Sequence, residues 1–443
     1  MISRARHFYS ISSQQGAATL LTAVLLLAAA LVVSLASYKS VFFQGKRAQN
    51  EIEARQLHWK GEGRLECVFA KLVDVSSNDP NSVSYNDCDQ PTNIHITRQG
   101  TSNLYTVESN ENGYRVVKVL RVPTVGTMGA LSANADIYFL GSYEFNPQPL
   151  EILASGSPKC VSVKYSKSLY LAPDTPKSEL VTDKVMTPEM LLTSCDSEYI
   201  TDVEAVTTLK KLSEINDGLD SDGNSLSDET EFKGDYLYEE NFQPFEELFG
   251  VPKSELTSIK DEFEVINGGQ CALYGNGTTD RNPSNCACDA NIAQKILQDK
   301  KLVWVDGNCD IGLGSKIQSA DAFKGSTGTI VVIQNGIFSS TGSVPFNGVL
   351  YQLYTNNLSP SLSVWDGYTG KVWANSTFSD IGQVPIAYLS GSYEPKGLVV
   401  IDAPDQIATF HGGFKFTYDK SKIENPLGQL LKPKWIKGSW NDF

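Results

Sequence analysis

The stretch GAATLLTAVLLLAAALVVSLASY, residues 16–38, decides how the rest of the chain is read. A secretory signal has an apolar core of roughly 7–15 residues, whereas about 20 are needed to cross a bilayer as a helix. The apolar run here predicts a span over residues 17–38. Upstream stand Arg4, Arg6 and His7 and no acidic residue, so the positive-inside bias keeps the amino terminus cytoplasmic and exports everything after the span. That topology implies an oxidising compartment.

Eight cysteines agree with it, at 67, 88, 160, 195, 271, 286, 288 and 309, all on the exported side. An even count in an exported chain favours disulfides, and Cys286-Ala-Cys288 lacks the Cys-x2-Cys spacing of a zinc site. Neighbours in the chain pair Cys67 with Cys88 and Cys160 with Cys195; Cys271, Cys286, Cys288 and Cys309 then share two bridges in any of three ways.

Beyond Tyr38 the sequence stays free of proline through residue 72, and Val41, Phe42, Gln49 to Ile52, Leu57, Leu65, Val68 and Phe69 recur near helical spacing. The pattern predicts one helix of about 55 residues, roughly 80 Å long, apolar all round in its first half and amphipathic in its second. Gly45, Gly61 and Gly63 are expected to bend or interrupt it. With 443 residues, 41% hydrophobic and 20% charged, the chain has the composition of an ordinary globular protein and the length for two or three domains. Its net charge is −14. Residues 196–264 hold 20 acids and 5 lysines, a balance of −15, so the excess acidity is local.

A short polar leader ending in Gly16, followed by an unbroken apolar helix that turns amphipathic, resembles a type IV prepilin. The resemblance implies cleavage after Gly16, with Ala17 as the new, methylated amino terminus. Most major pilins have glutamate at the fifth mature position, where this chain has Leu21; that departure resembles PilX-type minor pilins and the large tip subunit of type II secretion pseudopili. IKGSWNDF, residues 436–443, is similar to the Gly-Ser-Trp closing motif of PilX-type pilus assembly proteins, and KLVWVDGNCDIG, residues 301–312, to their late Trp-Val-x-Gly-x-Cys stretch. A leucine at 21 cannot supply the buried carboxylate that pairs with a neighbour's amino terminus in a stem bundle, which suits a subunit at the end of a filament.

Residues 92–172 are short alternating runs separated by Gly, Asn, Ser and Pro, as in an antiparallel or solenoidal sheet. Residues 173–300 show helical spacing in TDVEAVTTLKKLSEIND, YEENFQPFEELFG, PKSELTSIKDEFEVI and DANIAQKILQDK. Within them DSDGNSLSDETE, residues 220–231, places Asp220, Asp222, Asn224, Leu226 through its carbonyl, Asp228 and a bidentate Glu231 in the ligand order of a calcium loop. It also resembles bacterial thrombospondin-type calcium repeats, with Ser225 where glycine is preferred. From 301 the chain returns to β-branched and aromatic runs with Gly/Asn turns, as in stacked parallel rungs or a Greek-key sandwich, and in PilX-type proteins this late region resembles a β-solenoid. YFLGSYEF near 141 echoes YLSGSYEP near 391, too short an echo to establish a repeat.

The expected organisation is α+β: a leader over 1–16, a stem helix over 17–73, a β-rich pilin-like head over 74–172, a mostly helical acidic insertion with the calcium loop over 173–300, and a C-terminal β-rich domain over 301–443. No His-Glu-x-x-His, Gly-x-Ser-x-Gly, Walker or dinucleotide motif occurs, and the expectation is a non-enzymatic protein. The resemblance implies a minor pilin that primes or caps a type IV pilus. Its partners would be other minor pilins, the major pilin, the inner-membrane assembly platform and a tip adhesin. It would sit in the inner membrane before assembly and at the pilus tip or cell surface afterwards. The alternative is an anchored adhesin for a sugar, a surface or nucleic acid, for which KPKWIKGSW, residues 432–440, offers Trp435 and Trp440 between three lysines.

Overall fold

The computed structural model describes the chain except residues 1–13, 76–78, 101–102, 175–176, 187–191, 206–208, 213–230, 269–287, 312–326, 343–344, 356–359, 367, 369, 429, 440 and 443. A long N-terminal apolar helix precedes a large β-rich region with a few short helices, so the class is α+β. The chain forms two compact units, Met1–Arg121 with Trp435–Phe443, and Val122–Lys434. The first unit passes into the second at 121/122. The carboxyl terminus returns to the first unit.

The first unit is built on α1 (Gln14–Val75), 62 residues long. Gly45, Gly61 and Gly63 do not break it, contrary to expectation, and for Gly61 the reason is packing. A β-carbon there would lie 2.7 Å from Val116 Cγ2, so the missing side chain lets the helix lie close on the sheet. The face that packs is a helical stripe: Gly61, Arg64, Leu65, Val68 and Leu72 are buried. Opposite it stand β1 (Ile94–Arg98), β2 (Leu104–Glu111) and β3 (Tyr114–Arg121), an antiparallel meander with Val107↔Lys118 and Ile96↔Val107 in register. The carboxyl tail joins as a further strand on β3, with Asn441 opposite Val117 and the Ile436 N–H donating to the Val119 carbonyl at 2.9 Å.

The second unit is a stack of mostly parallel strands wound on three faces. β4 (Leu131–Ala133), β5 (Asp136–Leu140) and β6 (Ser142–Asn146) make one turn, each on its own face. Val163–Tyr165, Leu169–Ala172 and Ser178–Thr182 lie in register on β4, β5 and β6 as the next turn, and Tyr236–Tyr238 adds one more strand to the first face. The chain then crosses to the opposite end through Pro244–Phe249 and Leu256–Lys260. From Glu264–Asn267 it winds back through Leu302–Asp306, Thr329–Gln334 and Pro345–Leu353. It ends in two long strands, Ala387–Asp402 and Ile407–Tyr418. These close onto the first turn, Val399↔Leu131, Phe410↔Phe139 and Phe414↔Tyr143. The last turn in sequence is thus the spatial neighbour of the first.

Near-continuous apolar runs such as TIVVIQ and GLVVID suit strands buried on both faces in a parallel stack. Turning sharply from the second face to the third needs backbone that only glycine adopts cheaply. Gly391, Gly412 and Gly141 stand in a column at that corner with φ of 115°, 113° and 125°. A β-carbon on Gly141 would sit 2.3 Å from the Gly412 carbonyl oxygen. The echo of YFLGSYEF and YLSGSYEP is therefore real: both segments turn this corner in equivalent turns of the stack. Inside it, rings stack from turn to turn, Tyr393 on Phe414 at 5.7 Å, Phe414 on Tyr143 at 5.6 Å and Phe416 on Phe145 at 5.0 Å.

The expectation of a mostly helical 173–300 is corrected among the described residues. TDVEA forms the strand Asp202–Ala205, with Val203 and Ala205 buried and paired antiparallel to Ser178–Thr182. Its apolar residues alternate with acids, and tertiary pairing overrides the helical reading of the longer window. The helices that do form, Pro244–Phe249, Leu256–Lys260 and Asp289–Leu297, are short.

Candidate functional site

In the first unit the polar contacts gather at the helix-on-sheet joint. The Arg64 side chain, buried to 1% exposure, donates to the Asp89 carbonyl at 2.9 Å, Gln90 Oε1 at 2.8 Å, Asp89 Oδ2 at 3.2 Å, Ser109 Oγ at 3.3 Å and the Glu111 carboxylate. One guanidinium thus gathers α1, the loop after it and β2. The Cys67–Cys88 disulfide ties the same loop to the helix, and Lys118 on β3 binds Glu62 at 2.8 Å and Glu66 at 3.0 Å. Sequence reading missed Arg64, since a lone arginine on a helix looks like solvated charge.

Trp435, one of the two proposed tip-binding residues, stacks on Phe69 of α1 at 5.5 Å and carries the Lys118 ammonium 5.3 Å from its ring centre. Its surroundings are those of a packing residue on the stem. Trp440 lies outside the described residues, as do Asp220, Asp222, Asn224, Leu226 and Asp228 of the calcium loop. Glu231, the last of that series, is described and buried, 5% exposed. Among the described residues no group of three or more His, Cys, Asp or Glu is arranged to hold a metal.

Gly16 and Ala17 lie near the start of α1, and nothing approaches the place of a Gly16 β-carbon within 4 Å. From Gly16 to Glu53 every residue of α1 is exposed within the chain, with Leu20 at 70% and Leu26 at 72%. This apolar helix marks a membrane anchor or signal. The disulfides mark an extracytoplasmic domain: besides Cys67–Cys88, the bridges Cys160–Cys195 and Cys288–Cys309 are formed. The third settles the partner of Cys288 and Cys309, left open above; Cys271 and Cys286 lie outside the described residues.

The second unit offers a groove of about 840 Å³ on its third face, lined by Ser142, Glu144, Glu179, Asp183, Glu394 and Lys415 among others. It follows from strand alternation: Tyr393, Phe414 and Tyr143 point inward as the aromatic stack, so Glu394, Lys415 and Glu144, one residue on, point outward in a row. Lys415 pairs with Glu144 and lies 3.8 Å from Asp183. Burial works against the ionised form of Asp183, yet hydrogen bonds shared with Glu144, the Lys184 backbone and Asn146, and the Lys415 charge, hold it below the usual carboxylate range. Glu179 pairs with Lys177 at 2.8 Å and Glu394 with Lys396 at 3.4 Å, so the groove is lined by carboxylates with lysines at their sides and suits a ligand rich in hydroxyl groups. The signal was in the sequence: the two GSYE echoes carry Glu144 and Glu394.

Deeper in the stack, Asp235 is fully buried and accepts from the hydroxyls of Thr182 and Thr201, the latter at 2.6 Å. Burial raises its pKa to about 6 against the pull of those hydroxyls. Glu239 and Glu247 both reach the buried Lys164, at 2.9 and 3.3 Å. His95 is exposed; His411 contacts the Tyr388 hydroxyl through Nδ1 at 2.8 Å, and burial lowers its pKa. Comparison with known protein families, with curated proteins and with solved structures finds no match to this chain.

Proposed function

We propose that the protein is a minor-pilin-type filament subunit that primes assembly of a type IV pilus or caps its tip, with the three-faced stack as the part presented outside. The observation that carries this is the division of α1. Its second half is seated on a sheet by Gly61, Arg64, Leu65, Val68 and Leu72, while its apolar first half stays exposed among the described residues. A helix of that kind needs lipid first and sibling stems afterwards. Topology adds support, because the stack is inserted between β3 and the closing strand, leaving stem and sheet as a continuous platform.

Gly16→Leu tests the reading, since among the described residues nothing stands within 4 Å of where a β-carbon on Gly16 would lie. Expected are an uncut chain that begins at Met1, absence from sheared filaments and unchanged melting. Normal filaments containing the uncut variant would sink the proposal. Calcium held by Asp220, Asp222, Asn224, Leu226, Asp228 and Glu231 belongs to the same reading as a clamp on the acidic segment. Asp220→Ala with Asp222→Ala is expected to abolish the rise in melting temperature on adding calcium to chelated protein. An equal rise in the variant removes the loop from the account.

A further inference from the structure

Where the first face of the stack turns into the second, four groups meet that the filament reading does not use. Asn134 follows β4, and its N–H donates to the Ile401 carbonyl in the neighbouring turn at 3.1 Å. Its side-chain amide is fixed at both ends. Oδ1 accepts from the Ala403 N–H at 2.7 Å, and Nδ2 donates to Asp402 Oδ1 at 2.6 Å. That same carboxylate oxygen receives the Lys253 ammonium at 2.7 Å, while Asp402 Oδ2 accepts from the Tyr351 hydroxyl at 2.7 Å. Asp402, Tyr351 and Ala403 are fully buried and Asn134 is 4% exposed. Lys253 comes from the crossing segment between the two short helices, whose Phe249 packs on Tyr351 with ring centres 5.7 Å apart.

We propose that Lys253 and Asn134 are joined by an autocatalytic amide bond, with Asp402 as the proton carrier. An amine, a carboxamide and a fully buried carboxylate shared between them are the components such a bond requires; the Lys253 side chain, 30% exposed, reaches that carboxylate from the rim. Asp402, fully buried and in contact with the Lys253 nitrogen at 2.7 Å, is placed to take its proton and leave a neutral amine as nucleophile. The Ala403 N–H polarises the Asn134 carbonyl and stabilises the oxyanion formed on attack. Fixing both nitrogens on one oxygen supplies the proximity that a bimolecular reaction lacks. The Lys253 Nζ to Asn134 Cγ bond forms and the Cγ–Nδ2 bond breaks. Of the two protons lost by the lysine nitrogen, one goes to the departing Nδ2 to release ammonia. The other stays on Asp402 or leaves with the ammonia as ammonium.

The bond would fasten the crossing segment to the corner where the last turn of the stack meets the first, a useful lock for an exported protein under tension. The lock stands independently of the pilus reading, because it depends only on the second unit. The test is mass spectrometry of the purified full-length chain, reduced, alkylated and digested. The expected result is one joined species containing the Lys253 and Asn134 peptides, lighter than their sum by one ammonia, about 17 Da. Lys253→Arg and Asp402→Asn should each restore separate peptides of full mass. Recovery of separate, unmodified Lys253 and Asn134 peptides from the wild-type chain overturns the proposal whether or not the variants fold. So does an ammonia loss that persists in Lys253→Arg, which would be ring closure at Asn134 alone.

Discussion

The two units solve the problem of a small core in opposite ways. In the first, one face of a helix covers a narrow meander, and polar fastenings at Arg64, Lys118 and Cys67–Cys88 hold the joint. In the second, each turn buries its apolar residues against the turns on either side, and rings stack through the interior without a break. A stack shares its core among many repeats and tolerates a weak turn. A single joint with little apolar area depends on each of its fastenings.

Arg64→Ala is the strongest way to break that contrast. It leaves a buried gap among the acceptors that Arg64 served, with only the exposed Lys60, 3.8 Å away, still near Glu111, a loss of roughly 3–5 kcal/mol. In a two-transition melt of the full-length protein we expect the transition of the first unit to collapse while that of the second stays put. Loss of both transitions together would show that the units unfold as one, and the contrast would fail.

The second test lies inside the stack. A carboxyl whose pKa is raised by folding contributes stability that is complete below its unfolded pKa and lost as pH rises through the folded value. For Asp235 the window therefore runs from its ordinary value of 3.8 up to about 6, and the loss across it is about 3 kcal/mol. Asp235→Asn should remove that component, so the difference in unfolding free energy between wild type and variant should move with pH across this window and flatten above it. A difference that does not vary with pH would mean that Asp235 ionises in the folded protein as it does in water.

Trp435→Ala is the mildest of the three. Losing the stack on Phe69 and the contact with Lys118 should cost about 2 kcal/mol in the first unit alone. If stability is unchanged and attachment of cells to a surface is lost, Trp435 is a contact residue and the packing account is wrong.

Particular residues show how much could be read in advance. The apolar span, the pairing of Cys67 with Cys88 and of Cys160 with Cys195, and the amphipathic second half of α1 were legible because each depends on neighbours close in sequence. Gly61 was misread as a break, since its value lies in Val116, far along the chain. TDVEA was misread as helix because the strand it pairs with decides its state. Of the groove, the GSYE echo was visible, but its meaning required the two segments to lie on either side of the strand that carries Gly412 and Lys415.

The sequence by itself determined a long helix that begins apolar and ends amphipathic, an exported cysteine pattern, and β-rich segments punctuated by glycine, because composition and local periodicity are properties of short windows. Only the tertiary structure decided that the last turn closes on the first, that Arg64 holds the joint, and that Lys253, Asp402 and Asn134 share one buried corner. Those are contacts between residues far apart in the chain. They exist only once the backbone has turned back on itself and water has been driven from between the turns.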